Sequence, residues 1–245
     1  MSRKNPDWES NYTNPKIMAY PAVGDLLKER YHLLKVIKKG GMSTVYKAED
    51  KQMQHTKKQS VFVAVKVLAP YLLDDEHTVE KFQEEAIINM EKLGGHQNIV
   101  NIHSYEQDGG YHFFIMQWLD GHDLDDELRL LHSTETQGIS LDVLLGYLRN
   151  IVSALSYAHK RGVIHRDIKP GNLFKCKDNN IVLLDFGVSH NNDDSSVVSN
   201  GIMISGSYEY MPPEADIASH IPDAQDDIYG LAICIYQLLS GELPF

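Results

Sequence analysis

The chain has 245 residues, enough to bury a substantial core as one large domain or two small lobes, and an ordinary globular composition. Its formal charge of −11 sits at one end: no lysine or arginine follows Lys177, and the eleven acidic residues from Asp178 to Glu242 carry all of it. The neutral remainder lacks the basic footprint of a nucleic-acid groove, so no nucleic-acid partner is expected; the acidic end is either solvated surface or a face that prefers basic partners.

The longest apolar run, "IYGLAICIYQLL" at 228–239, is too short to span a bilayer and suits a buried helix. No apolar core follows the basic residues of "MSRKNPDWESNYTNPK", as a signal peptide would require. Cys176 and Cys234 form neither a disulfide framework nor a metal spacing. A reducing, cytoplasmic setting with no membrane span in this chain is therefore the expectation.

In chain order, residues 1–24 are rich in Asn and Pro, lack periodicity and are assigned to an N-terminal extension. "RYHLLKVIKK", "STVYKAED" and "SVFVAVKVL" are β-branched and aromatic runs separated by turn signals, which predicts an antiparallel meander. In the third run Val61, Val63, Val65 and Val67 share one face and Phe62, Ala64, Lys66 and Leu68 the other, so one lysine stands in an apolar row. A helix follows, capped by Thr78, carrying Val79, Phe82, Ala86, Met90 and Leu93 at helical spacing, and stopped by Gly94 and Gly95. Strands are predicted at "NIVNIHSYEQ" and "YHFFIMQWL". Beyond Gly121 the pattern turns helical: Leu141, Leu144, Leu148, Ile151, Leu155 and Ala158 form one stripe of a long amphipathic helix, and Gly162 follows its end. Strands first and helices later predict an α+β chain in two lobes, divided as 25–119 and 120–245.

The chemistry concentrates in five strings that appear in one order: "KKGGMSTV", "VAVK", "HRDIKPGN", "DFG" and "PPE". Alone, "HRDIKPGN" is a polar turn, and a lone lysine such as Lys66 is usually a strand-edge residue whose charge snorkels to water. Together and in this order the strings resemble the eukaryotic-like (Hanks-type) protein serine/threonine kinase catalytic domain, in its bacterial form. The resemblance spans residues 30–245. It implies a bilobal fold with a small antiparallel-sheet N-lobe and a helical C-lobe, which here stops after its central helix.

What the resemblance implies for individual residues can be tied to phosphoryl transfer, in which the protein mainly positions reactants and neutralises charge. Asp167 orients the attacking hydroxyl and Lys169 meets the transferring phosphoryl group. Asn172 and Asp185 are oxygen ligands suited to Mg²⁺, or to Mn²⁺ in its place. Lys66 holds ATP phosphates and pairs with Glu85 of "FQEEA", Glu84 being the solvated alternative. Val45 and Ala64 from above and Phe174 from below cover the adenine; Met116 resembles the gatekeeper, and the backbone of Gln117 and Leu119 the hinge that hydrogen-bonds adenine. In the phosphate loop the family's three glycines fall on Lys38, Gly40 and Ser43, so that Gly40, with Gly41 beside it, and the Ser43 hydroxyl remain to meet phosphate. Lys169 and Ser207 match the serine/threonine branch. Arg166 implies control by phosphorylation of a loop that contains Ser195, Ser196, Ser199 and Ser205.

The expected activity is transfer of the γ-phosphate of ATP to serine or threonine of a protein substrate. A catalytically weak or inactive pseudokinase-like scaffold is the alternative, and a small-molecule kinase of related fold a third reading. Asp227 of "DDIYGLA" resembles the family's aspartate that starts the central helix of the large lobe and anchors the catalytic loop. Two departures accompany these expectations. Glu214 lacks its usual arginine, since Arg166 is the last in the sequence, and the apolar central helix around 228–245 calls for a partner or further chain to cover it.

Overall fold

The computed structural model of the chain describes residues 19–57, 59–134, 138–186, 208–216 and 220–245. Ser195, Ser196, Ser199, Ser205 and Ser207, the Gly187 of "DFG" and residues 1–18 lie outside this described set.

The meander forms as the alternation predicts. Strands β1 (Leu26–Leu27), β2 (Tyr31–Lys39), β3 (Ser43–Asp50), β4 (Phe62–Leu68), β5 (Ile102–Asp108) and β6 (Tyr111–Gln117) make one antiparallel sheet in the order β1-β2-β3-β4-β6-β5. Both faces of β4 are buried, each against a different layer. Val63, Val65 and Val67 pack with Leu33, Tyr46 and Phe113 on one side; Ala64 and Leu68 pack with Phe82, Ala86 and Phe114 on the other. The second layer is helix α2 (Glu76–Ile88), laid across the sheet. Between β3 and β4 runs a short helix, α1 (Lys51–Lys57), that the periodicity did not announce.

Helix α2 begins earlier than predicted. Asp75, with extended backbone, takes the cap position, and the Thr78 hydroxyl donates to its carboxylate at 2.5 Å. At its far end the helix loosens into a π turn over Asn89–Leu93 and stops at Gly94, as the glycine pair predicted. Residues 19–24, assigned from sequence to the extension, are tied to the outer face of the sheet: Tyr111 donates to the Ala19 carbonyl at 2.9 Å and Tyr46 to the Pro21 carbonyl at 2.8 Å.

The second lobe is mainly helical. After β7 (Gly121–Asp123) come α3 (Leu124–Ser133) and α4 (Leu141–His159), then the hairpin β8 (Leu173–Cys176) and β9 (Ile181–Leu183), and finally α5 (Ala224–Ser240). Strand β7 and helix α3 were not resolved in the sequence pattern. Along α4 the buried positions are Leu144, Tyr147, Ile151, Ala154, Leu155 and Ala158, while Leu148 is partly covered. Leu141, counted in the predicted stripe, is 59% exposed because the first helical residue projects beyond the core.

Helix α5 starts at Ala224, under a capping box made by Asp223 and Asp226, so Asp227 sits inside the first turn and does not open the helix as expected. Its Leu231, Cys234 and Leu238 enter the same core as α4. The opposite face stays open: Ile228 is 54% and Tyr236 50% exposed, with Ala232 and Leu239 completing the stripe. Among the described residues no helix is long and apolar enough to cross a membrane.

Candidate active site

The site lies where the two lobes meet, and main-chain bonds fix their junction. Val100 N donates to Leu183 O and Leu183 N to Asn98 O, both at 2.9 Å, which ties the segment before β5 to β9. Asn98, fully buried, donates from its side-chain Nδ2 to the Ile181 carbonyl at 2.8 Å.

From the upper lobe Lys66 projects off the α2-facing side of β4. Its ammonium lies 2.8 Å from Glu85 Oε1 and 2.9 Å from Asp185 Oδ1. The neighbouring Glu84 is exposed, so the lysine takes the partner preferred from sequence. Burial alone would lower the Lys66 pKa, but Asp185 and Glu85 outweigh it and hold the ammonium above the usual lysine range. Burial likewise works to raise the Asp185 carboxyl, and the charge and hydrogen bond of Lys66, helped by Lys38, pull it below the ordinary aspartate value. Glu85 is pushed up by burial and by competition with Asp185 for the same cation. One ammonium thus serves two carboxylates, and it stays charged.

This arrangement makes the pair testable. Lys66→Met and Glu85→Gln are expected to lower phosphate transfer strongly but non-additively, with a coupling of about 1–3 kcal/mol in a double-mutant cycle on kcat/KM. Additive losses would separate the two residues functionally.

From the lower lobe comes the loop 165–172, seated on α5. Asp227, whose side chain is fully buried, accepts from His165 N at 2.9 Å, from Arg166 N at 2.8 Å and from His159 Nε2 at 2.6 Å. Gly230, one turn on, lets the helix come close: an added Cβ would meet the Ile168 carbonyl at 3.1 Å and the Tyr210 carbonyl at 3.3 Å. Held this way, Arg166 adopts φ +66°, and Asp185 across from it adopts φ +47°. Both values are costly for residues with a Cβ, about 1–3 kcal/mol each, and persist only where surrounding bonds determine them.

Within the loop Asp167 is the centre. Lys169 Nζ lies 2.6 Å from its Oδ2, and Asn172 Nδ2 donates to that oxygen and to the Asp167 carbonyl, each at 2.8 Å. The Asn172 carbonyl accepts from Leu184 N at 2.9 Å, which brings Asn172 beside the segment carrying Asp185. Phe186 is buried and packs on His165, ring centroids 4.6 Å apart, while His165 Nε2 is 2.8 Å from the Leu184 carbonyl. Asn172 spends its amide nitrogen on Asp167 and Asp185 spends Oδ1 on Lys66. The amide oxygen of Asn172 and Oδ2 of Asp185 are the hard donors left for a divalent cation, a set that fits Mg²⁺ when phosphate oxygens complete it.

The apolar residues assigned to a base pocket are only partly gathered. Val45, Ala64, Met116 and Leu119 share one cluster beneath the sheet; Phe174, half-buried on β8 opposite Asp123, is outside it. Gln117 N is taken by the Asn101 carbonyl at 2.9 Å, whereas among the described residues the Leu119 main chain makes no backbone bond, so the hinge is open there.

In the phosphate loop neither Gly40 nor Gly41 uses a left-handed φ; what Gly40 supplies is close approach of the backbone, its N–H reaching Ser43 O at 2.8 Å, with that oxygen 3.3 Å from where a Cβ would be. Glu214, whose missing cation was noted from sequence, avoids the cost of an unpaired buried charge by standing exposed. Sequence reasoning named Asp227 as an anchor but missed His159 and Gly230, and it missed that Asp123 faces Lys38. No local pattern marks these, because each acts through a contact distant in sequence.

An antiparallel upper lobe, a helical lower lobe and a lysine–carboxylate set facing an Asp167–Asn172 loop define a phosphotransferase architecture of the protein-kinase type. The chain belongs to the protein kinase domain family, whose pattern matches residues 31–245. It is 33% identical over 224 residues to a probable serine/threonine-protein kinase of Clostridium acetobutylicum, covering 91% of this chain and 32% of that protein. It is 31% identical over 230 residues to the serine/threonine-protein kinase PknA of Mycobacterium tuberculosis, covering 92% of this chain and 50% of PknA. To PrkC of Bacillus subtilis it is 30% identical, covering 91% of this chain and 32% of PrkC. The chain thus spans from 32% to 50% of the length of these relatives. In fold it is similar to the kinase domain of M. tuberculosis PknI, with a TM-score of 0.68 over 92% of this chain and 78% of that one, at 24% identity.

Proposed function

We propose that the chain transfers the γ-phosphate of ATP to serine or threonine hydroxyls of protein substrates. The observation that carries this reading is the convergence of Lys66 and Glu85 from the upper lobe with Asp185, Asp167, Lys169 and Asn172 from the lower lobe. Lys66, charged and fixed by two carboxylates, binds the non-transferred phosphates. Asp167 accepts the proton of the attacking hydroxyl, and Lys169 beside it offsets negative charge on the transferring group. Asn172 and Asp185 would hold Mg²⁺, which neutralises phosphate charge when bound. Val45, Ala64 and Met116 take the adenine, and Leu119 offers main-chain groups to its edge. Lys169 favours the serine/threonine class by family resemblance, and the acidic C-terminal end favours basic acceptor proteins.

Incubation of the chain with γ-labelled ATP, Mg²⁺ and a basic acceptor protein, followed by acid hydrolysis, should place the label on serine or threonine. A chelator should abolish the transfer. Binding of ATP without transfer, with Mg²⁺ or Mn²⁺ and across a panel of acceptors, would instead support the pseudokinase-like scaffold.

A further inference from the structure

Lys38 stands at the position where the phosphate loop leaves β2, in place of the first glycine of the family pattern. Its side chain is largely exposed, yet its ammonium is engaged. It crosses to the lower lobe, 2.7 Å from Asp123 Oδ2 and 3.3 Å from the Gly171 carbonyl. The receiving carboxylate is itself fixed: Asp123 is 9% exposed, and its other oxygen, Oδ1, caps α3 by accepting from Asp126 N at 2.9 Å. Gly171 belongs to the turn between Lys169 and Asn172, inside the candidate catalytic loop.

The rest of the phosphate loop is fastened from the other side. Gly40 N bonds Ser43 O and Ala69 N bonds Met42 O, both at 2.8 Å, and the Tyr71 hydroxyl donates to the Gly41 carbonyl. The loop is therefore pinned above by its own lobe and below by one cation. The Lys38 bridge thus spans from the phosphate loop to the turn that carries Gly171.

We propose that Lys38, paired with Asp123 and the Gly171 carbonyl, is a latch that closes the mouth of the nucleotide cleft and opens to admit nucleotide. The proposal rests on the cleft being the nucleotide site. An ammonium is a point charge on a flexible stem, so it can leave one acceptor for another without rearranging the backbone. The lysine end of the pair is 58% exposed, which makes the bridge weak and screened by salt, as a latch has to be and a permanent tie is not.

Adenosine is the probe that isolates this contact, because it carries no charge and its affinity has no reason of its own to vary with salt. Wild type should bind adenosine about threefold more tightly at ~0.5 M than at ~0.05 M salt, as the bridge is screened. Lys38→Met should bind about threefold more tightly than wild type at low salt and show no salt dependence. In the ligand-free protein, amide hydrogen exchange over residues 36–44 should quicken in Lys38→Met and in Asp123→Asn, whose asparagine keeps the helix cap, and the double variant should be no faster than either single one.

Equal adenosine affinity and equal salt response in wild type and Lys38→Met would overturn the latch, as would faster exchange with no gain in adenosine affinity. Failure of every variant to bind either adenosine or ATP would overturn the nucleotide reading instead. The exchange cycle would then decide by itself whether Lys38 ties the lobes together.

Discussion

Asp167→Asn is expected to abolish phosphate transfer while leaving nucleotide binding nearly intact. Asparagine keeps the size of the side chain and one acceptor oxygen, but it cannot take a proton from an attacking hydroxyl, and its amide nitrogen would oppose the donors of Lys169 and Asn172 that now converge on the carboxylate. General-base assistance is worth about 10²–10⁴ in rate. Loss of orientation around Asp167 adds to this, since Lys169 would no longer be held in place. The groups proposed to grip ATP, led by Lys66 with its two carboxylates, are untouched. Steady-state transfer and a fluorescent-nucleotide titration on the same preparation check both halves. Near-wild-type transfer would remove Asp167 from the reaction, and a parallel loss of nucleotide affinity would mean that it belongs to the binding site.

Asp227→Ala is expected to damage both stability and activity, although Asp227 touches no reactant. Its carboxylate meets two main-chain N–H groups of the candidate catalytic loop and one histidine, all in the interior. An alanine leaves His165 N and Arg166 N unpaired where water cannot readily replace the lost acceptor. With removal of a buried charged partner, the cost should be about 3–5 kcal/mol. A domain whose total stability is about 5–15 kcal/mol would be brought close to unfolding. The shift should appear in the urea midpoint at an unchanged slope. Arg166 holds φ +66° through these bonds, so the loop should relax even in molecules that remain folded, and kcat should fall more than the folded fraction does. Asp227→Asn, which restores one acceptor but sets an NH₂ against the other N–H groups, should lie between the two. An unchanged midpoint in Asp227→Ala would show that the loop is anchored elsewhere, through Gly230 and Cys234 packing against Ile168.

Strand alternation in "SVFVAVKVL" was enough to separate the two faces of β4 and to isolate Lys66 on the face turned towards α2. The long helical stripe was recovered except at Leu141, where the helix begins outside the core. Helix α3 escaped because it is short and its first turn holds Asp125, Asp126 and Glu127, so its apolar positions are interrupted by charge.

The sequence by itself determined the order of motifs, hence the family, the two-lobed α+β layout and the identity of the chemically capable side chains. Those properties are local, carried by residue type and by spacing along the chain. The tertiary structure decided which of those side chains meet: that Lys66 is shared between Glu85 and Asp185, that Asp227 receives the loop 165–172 with help from His159 and Gly230, and that Lys38 crosses the cleft to Asp123. Each of these contacts joins residues well apart in sequence, and its strength depends on burial and orientation. Neither is fixed until the sheet, the helices and the hairpin have packed against one another.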